Sequence, residues 1–367
     1  MKKKYIYILS AIVIITTSSY FLKNTIKLMA FNWFFSQHLE EMLEQSYEPL
    51  TEEKSILETN DKNEENETNQ LHQLNNPGFI SFQLFPRPIR SKEESVEKNE
   101  TTSEMNDPFA ILLLGEDARG EEQGRSDSMI LSIVRPSDLK VLLLSIPRDT
   151  YVEIPGRSGK DKINHAFAFG GVKLAKDTVE NYFDIPIQNY AKINFYGFTQ
   201  LVDALGGVSL PVDKDLIKYT SSGSVVIVVG GKESYSGEEA LKFARFRSDA
   251  QGDFGRAGRH QEVIIAILEE AKKITNITKV FDVIEIVGEN LKTDMKPDLI
   301  KDLSTLYLKS DNPQIHTYTL DGVSSNDNPQ RIWYNYVSDS EYNKVKTIID
   351  RWLASDTTEE ELTEFLK

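Results

Sequence analysis

Phe109-Ala110-Ile111-Leu112-Leu113-Leu114-Gly115-Glu116-Asp117-Ala118-Arg119 opens the folded domain. Its apolar residues are consecutive rather than alternating, and they stop abruptly at a glycine, two carboxylates and an arginine. A short aliphatic run of this kind predicts a strand covered on both faces. Residues 129–134 and 141–146 repeat the pattern. Helical spacing then predicts helices over 172–183 and 195–205, the second closed by Gly206-Gly207, where glycine accepts the left-handed cap conformation. Further helices are expected over 238–243, 259–274, 280–291, 299–308 and 341–353, with strands at 225–229 and 315–320. Strands that alternate with helices define an α/β class with layers.

Upstream of this domain the composition changes. Residues 51–105 are rich in Glu, Asn and Ser, with apolar residues confined to a proline-broken patch at 79–89, too little to form a core. They predict a solvated stalk that lifts the domain away from the membrane end of the chain. Phe31, Trp33, Phe34, Phe35, Leu39, Met42 and Leu43 fit a helix within 28–47. Before them, Lys2-Lys3-Lys4 precedes an uncharged, Ile- and Leu-rich run from Tyr5 to Leu22, long enough to span a bilayer and without a convincing cleavage site. The expected order is a cytoplasmic tail (1–4), an uncleaved transmembrane anchor (5–22), a juxtamembrane segment with a disordered acidic linker (23–106), an extracytoplasmic catalytic domain (107–355) and a C-terminal tail (356–367). The lysines favour a cytoplasmic N-terminus. The location is thus the cell membrane, with a single pass and the domain outside.

The chain of 367 residues carries a formal charge of -15, which excludes a nucleic-acid coat, and it contains no cysteine, which removes disulfides, thiolate metal sites and cysteine nucleophiles. Its five histidines show no metal-ligand spacing. There is no phosphate-binding P-loop, nucleophile elbow or recognisable helix-turn-helix.

The informative charges fall at the ends of the apolar strands, where α/β sheets collect ligands. Asp117 and Arg119 leave the first strand, Arg125 and Asp127 enter the second, and Arg148 and Asp149 leave the third. Arg245 and Arg247 alternate after a helix and so face the same way. Arg256 and Arg259 begin another helix beside His260. Arginine forks bind phosphate oxygens bidentately, and magnesium is held by one or two carboxylates together with substrate phosphates. Several arginines with two carboxylates therefore point to a pyrophosphate and Mg2+. Any one of these arginines taken alone reads as a surface ion-pair partner.

Leu114 to Arg119, Gly124 to Met129, Ser145 to Thr150, Asp161 to Gly171, Val202 to Val208, Gly237 to Leu241, Ala244 to Arg247 and Gly252 to Gln261 follow one another in an order that resembles the LytR-CpsA-Psr family, whose members attach glycopolymers to peptidoglycan. The resemblance implies a three-layer α/β/α sandwich with a central mixed sheet, an apolar cavity for a polyprenyl chain and a magnesium-assisted site. It implies that Asp117 and Asp127 hold the metal, that Arg148, Arg245, Arg247 and Arg259 grip the pyrophosphate, and that Arg119, Arg125 and Arg256 stand in or near it. His260 occupies a place where the family often has glutamine, and a neutral imidazole supplies the same hydrogen bond. The implied reaction moves a polyprenyl-pyrophosphate-linked glycopolymer, a teichoic acid or capsule, onto a peptidoglycan hydroxyl, with Asp117 or Asp149 taking the proton. A carrier without turnover and a pyrophosphate hydrolase are the competing readings. Transcriptional regulation is disfavoured by the acidic charge and the export segment.

Overall fold

Continuous aliphatic strands need cover on both faces, and in the computed structural model helices provide it. The structure describes residues 44–50, 106–117, 125–248, 252–274, 277–310 and 313–366. The expected anchor at 5–22, the acidic segment 51–105 and Arg119 lie outside the described residues. Among the described residues no helix is long and apolar enough to cross a membrane.

In chain order the elements are β1 (Phe109–Asp117), β2 (Arg125–Arg135), β3 (Lys140–Ser145), a small hairpin of β4 (Tyr151–Glu153) and β5 (Lys160–Lys162), α1 (Ile163–Phe183), β6 (Asn189–Asn194) and α2 (Phe195–Ala204). A second hairpin of β7 (Leu216–Thr220) and β8 (Gly223–Val228) follows, then α3 (Gly237–Arg245), α4 (Gly252–Lys273), α5 (Ile277–Asn290), β9 (Leu291–Thr293), α6 (Pro297–Lys309) and β10 (Gln314–Thr319). The chain closes with β11 (Val323–Ser325), β12 (Tyr334–Tyr336), α7 (Asp339–Leu353) and α8 (Glu359–Thr363).

The main sheet runs β10-β3-β2-β1-β6-β9 and is mixed: β1, β2 and β3 form an antiparallel meander, β6 and β10 pair parallel to β1 and β3, and β9 is antiparallel at the edge. Alternate residues of the meander split between two layers. Ala110, Leu112, Leu131, Ile133 and Leu144 pack with Phe167, Val179, Phe183 and Trp352 beneath α1 and α7. Ile111, Ile130 and Leu143, buried on the other side, lie on the face covered by α4, which Gln261 pins by donating from Nε2 to Leu143 O (2.9 Å) and Tyr318 O (2.7 Å). A second cluster of Val202, Val228, Phe243, Val263 and Ala266 joins α2, β8, α3 and α4.

Local chemistry sets the helix ends. Asn194 caps α2 through Gly197 N (2.7 Å), Ser236 and Glu239 form a capping box on α3, and Ser338 caps α7, each satisfying an amide that has no partner within its helix. Gly206 and Gly207 take φ of +85° and +94° after α2, as the glycine pair predicts.

Several expectations are revised. The helix expected over 172–183 is present, and a further helical segment from Ile163 precedes it across a kink at Gly170 and Gly171. The strand expected at 225–229 is β8, which among the described residues pairs with β7 alone and keeps Val225 and Val226 exposed. The C-terminal tail from 356 packs: α8 buries Leu362, whose carbonyl accepts from Trp352 Nε1 at 3.1 Å. Residues 44–50 also belong to the domain. Tyr47 bridges Thr293 at the free edge of β9, Glu48 N donates to Thr293 O (2.7 Å), and Tyr190 Oη donates to Glu48 O (2.7 Å). Residues on both sides of the acidic segment, 44–50 and 109 onward, thus belong to the domain, and the stretch between residue 44 and the apolar run is 23–43.

Candidate functional site

Three strand ends meet at one edge of the sheet. β1 ends in Asp117. Opposite it, β2 carries a bulge: Gly115 pairs Ser128 and Glu116 pairs Ser126, so Asp127 is the extra residue. A bulge re-aims a side chain while leaving the flanking ladder intact, and here it brings Asp127 to Arg148. β3 gives way to Pro147-Arg148-Asp149-Thr150, a tight turn closed by Thr150 N donating to Pro147 O (3.0 Å).

That turn is fixed from two sides. Asn164 N donates to Arg148 O (3.2 Å) and Ile163 N to Thr150 O (2.9 Å) from the start of α1, while Asn335 N donates to Asp149 O (2.8 Å) from β12. With the backbone held, Arg148 Nη1 donates to Asp127 Oδ1 at 2.8 Å. Its Nε, 3.8 Å from Asp149 Oδ2, is buried without a hydrogen-bond partner among the described residues. A buried donor left unsatisfied is costly, and Arg148 lines a small cleft with Asp127, Arg256 and His260.

The second arginine pair arrives from α3. Arg245 is its last residue and Phe246 is extended, so Arg245 and Arg247 emerge together. Arg245 Nη2 lies 3.6 Å from Asp117 Oδ2, with its guanidinium 4.7 Å over the Phe195 ring, and Arg247 Nη2 lies 4.0 Å from Asp127 Oδ1. The third pair comes from α4. Arg256 and Arg259 are both buried, and Arg259 Nη2 donates to Phe246 O at 2.6 Å, bracing the segment that presents Arg245 and Arg247. Asp127, Ser145, Arg148, Arg256, Ala257 and His260 line one small cleft. His260 is depressed to about 3, by desolvation first and then by the Arg256 charge, and it makes a backbone hydrogen bond to Ala244. The imidazole is neutral at physiological pH, as expected for a hydrogen-bonding rather than a charged role.

The structure thus gathers Asp117, Asp127, Arg148, Asp149, Arg245, Arg247, Arg256, Arg259 and His260. Arg125 pairs with Asp117 in the ladder, and its side chain lies outside the described residues, as does the whole of Arg119. One cation was missed. Lys162 Nζ lies 2.9 Å from Asp149 Oδ1; its signal was a lysine between a strand and a helix start, flanked by residues that return to the Arg148 turn. Asn164 is the other addition, buried with Oδ1 unpartnered among the described residues. Six cationic side chains, Arg148, Lys162, Arg245, Arg247, Arg256 and Arg259, therefore surround three carboxylates in a chain of net charge -15. A local inversion of charge of this size selects a polyanion small enough to enter a crevice.

Comparison with known proteins agrees. A polyisoprenyl-teichoic acid–peptidoglycan teichoic acid transferase TagU of Halalkalibacterium halodurans is 44% identical over 203 residues, covering 55% of this chain and 66% of that protein. The protein of the same name from Enterococcus faecalis is 39% identical over 245 residues, covering 64% of this chain and 78% of the relative. Among solved structures, TagT bound to LIIa-WTA superposes with a TM-score of 0.53 at 30% identity, covering 75% of this chain and 96% of the other. The model of the LytR_cpsA_psr family matches residues 85–351, and the chain belongs to that family.

Proposed function

We propose that this chain is a transferase that moves a polyprenyl-pyrophosphate-linked teichoic acid or similar glycopolymer onto a hydroxyl of peptidoglycan. The observation that carries the reading is the cluster of six cations around three carboxylates at one end of the sheet, together with relatives named for this activity. The acceptor oxygen attacks the sugar-bound phosphorus. The bond to the bridging oxygen breaks, polyprenyl phosphate leaves, and the polymer is joined through a phosphodiester. Arg148, Arg245 and Arg247 bind the pyrophosphate oxygens and offset the charge that grows in the transition state, the main lever in phosphoryl transfer. Arg256 adds positive charge from behind, Arg259 holds Phe246 in place, and neutral His260 orients without titrating. Asp117 or Asp149 accepts the proton of the attacking hydroxyl.

Magnesium belongs to the same proposal. Among the described residues no three His, Asp or Glu side chains form a metal cage. Asp117 and Asp127 offer two carboxylates, which fits a hard cation that completes its shell with phosphate oxygens. Bound there, it would polarise the phosphoryl oxygens. The apolar run at 5–22 would anchor the chain in the cell membrane with its N-terminus in the cytoplasm. The domain would then stand at the outer face, where a polyprenyl donor lies.

The test is transfer of polymer from a synthetic polyprenyl-pyrophosphate donor to peptidoglycan oligomers, with wild type and Arg148→Ala, with and without magnesium. Product that requires Arg148 supports the reading. Donor binding without turnover would make the protein a carrier, and release of polymer phosphate to water would make it a hydrolase.

A further inference from the structure

A cleft of about 390 Å3 lies outside the arginine cluster. It opens between β4, the C-terminal turn of α1 and the start of α7, and its walls include Tyr151, Tyr182, Tyr336 and Tyr342 with Glu153 and Asp339 at the rim. Its volume falls in the ~300–1,000 Å3 range of small-ligand sites.

The chemistry of the lining is specific. Tyrosine presents an apolar face and a polar tip, the combination that matches a pyranose, whose ring has C–H faces and a hydroxyl perimeter. Tyr342 Oη donates to Tyr182 O (2.8 Å) and is committed. The hydroxyls of Tyr151, Tyr182 and Tyr336 make no hydrogen bond to a described residue. Burial, and then the neighbouring Tyr342, push Tyr182 up to about 12, so its hydroxyl remains a donor at any physiological pH. Among the described residues the charged side chains lining the cleft are Glu153, Asp339 and Lys160, an acidic balance that disfavours a polyphosphate.

The cleft is also joined to the transfer site. Lys162, bound to Asp149 at 2.9 Å, lies 5.9 Å over the Tyr334 ring. Tyr334 packs 4.6 Å from Tyr151, and Tyr151 packs 5.3 Å from Tyr336, which lines the cleft. From Asp149 onward the path is one of ring faces, and it runs beside the backbone contact of Asn335 with Asp149 (2.8 Å).

We propose that the tyrosine cleft binds a neutral, N-acetylated amino-sugar stretch of the acceptor glycan and holds that strand so that a hydroxyl reaches the arginine cluster. This rests on the transfer reading above and extends it. The anionic donor polymer is excluded from the cleft by charge, so donor and acceptor approach the reacting phosphorus along different surfaces.

The experiment uses the full chain in detergent micelles with short β-1,4-linked N-acetylglucosamine oligomers as the probe, followed by calorimetry and saturation-transfer NMR in the absence of donor. Asn181→Trp, at an exposed position on the cleft wall, fills the space without entering the core and weakens binding about tenfold or more, the equivalent of ~1.4 kcal/mol. Tyr182→Phe keeps the ring, removes one hydroxyl and weakens binding roughly threefold. Wild type that does not bind the oligomer, variants that bind it as well as wild type, or a glycerol phosphate oligomer that competes for the cleft would each overturn the proposal. Failure of the two readings is separable. Oligomer binding that needs the cleft, in a protein that never transfers polymer, sinks the transfer reading alone. Transfer with an unchanged KM for acceptor in Asn181→Trp sinks the cleft alone.

Discussion

The two ends of the sheet each hold a mostly buried arginine, and they use it in opposite ways. Arg135, at the end of β2 far from the site, is 1% exposed and fully committed: Nε to Asp138 (2.8 Å), Nη1 to Trp352 O (2.9 Å) and Ala354 O (2.6 Å), and Nη2 to Ser355 O (3.3 Å). It fastens the end of α7 to the sheet. Arg148, after the end of β3, donates one side-chain hydrogen bond among the described residues, to Asp127, and keeps a buried Nε without a hydrogen-bond partner among them. Arginine burial alone therefore does not mark function. The unmet hydrogen-bonding capacity does, because a guanidinium that serves only the fold saturates its fork.

The largest expected effect falls on Arg148. Arg148→Ala should lower polymer transfer about 10³-fold or more, the loss seen when a donor to a developing oxyanion is removed, while thermal stability shifts by less than ~1 kcal/mol because the Arg148–Asp127 pair is partly open to solvent. Arg135→Ala should do the reverse. Three carbonyls lose their donor, so the domain should lose about 3 kcal/mol or more in denaturant titrations, with transfer per folded molecule unchanged. Equal stability losses in the two variants would remove the distinction.

Asp127→Asn sharpens it next. The substitution keeps the shape at the bulge and removes the charge that engages Arg148 and Arg247. If Asp127 shares a cation with the substrate, the magnesium concentration for half-maximal transfer should rise about tenfold or more. An unchanged magnesium titration would confine Asp127 to orienting the arginines.

Much of this site was legible because it depends on where charge interrupts apolar sequence. The runs ending at Leu114, Val134 and Ile146 locate the strand ends, and the arginines beside them mark the crevice. Elements whose pattern is set by neighbours were not legible. β6 reads Asn-Tyr-Ala-Lys-Ile-Asn, without aliphatic continuity, because Lys192 there lies 3.3 Å from Glu116 of β1. β9 is three residues long at an edge that residues 44–50 complete. Lys162 gave only a weak signal as a site residue, a lysine next to a helix start, because its partner Asp149 meets it only through the docking of β5 on the turn after β3. Arg245 closes a helix and only Phe246 after it is extended, and the separate partners of Arg245 and Arg247, Asp117 and Asp127, required the register of β1 with β2.

The smallest effect concerns His260, which lies between the two kinds of buried cation. Its neighbours Arg256 and Arg259 keep their charge, and the imidazole gives its proton up, being held down to about 3 by desolvation and by Arg256. Between that value and the ordinary histidine value of 6.5, the unfolded chain binds a proton that the folded chain refuses. Stability should therefore rise with pH across this window and be lost as pH falls through it. His260→Gln, which cannot titrate and keeps a side-chain hydrogen bond, should flatten the slope by up to about 1.4 kcal/mol per pH unit near pH 5. The measurement is urea unfolding of both proteins at intervals from pH 4 to pH 7. A slope that does not change would mean that the folded histidine takes up its proton. The arginine cluster would then have to tolerate another positive charge in its wall, and His260 would belong with the ligand-binding cations rather than with the neutral groups that position them.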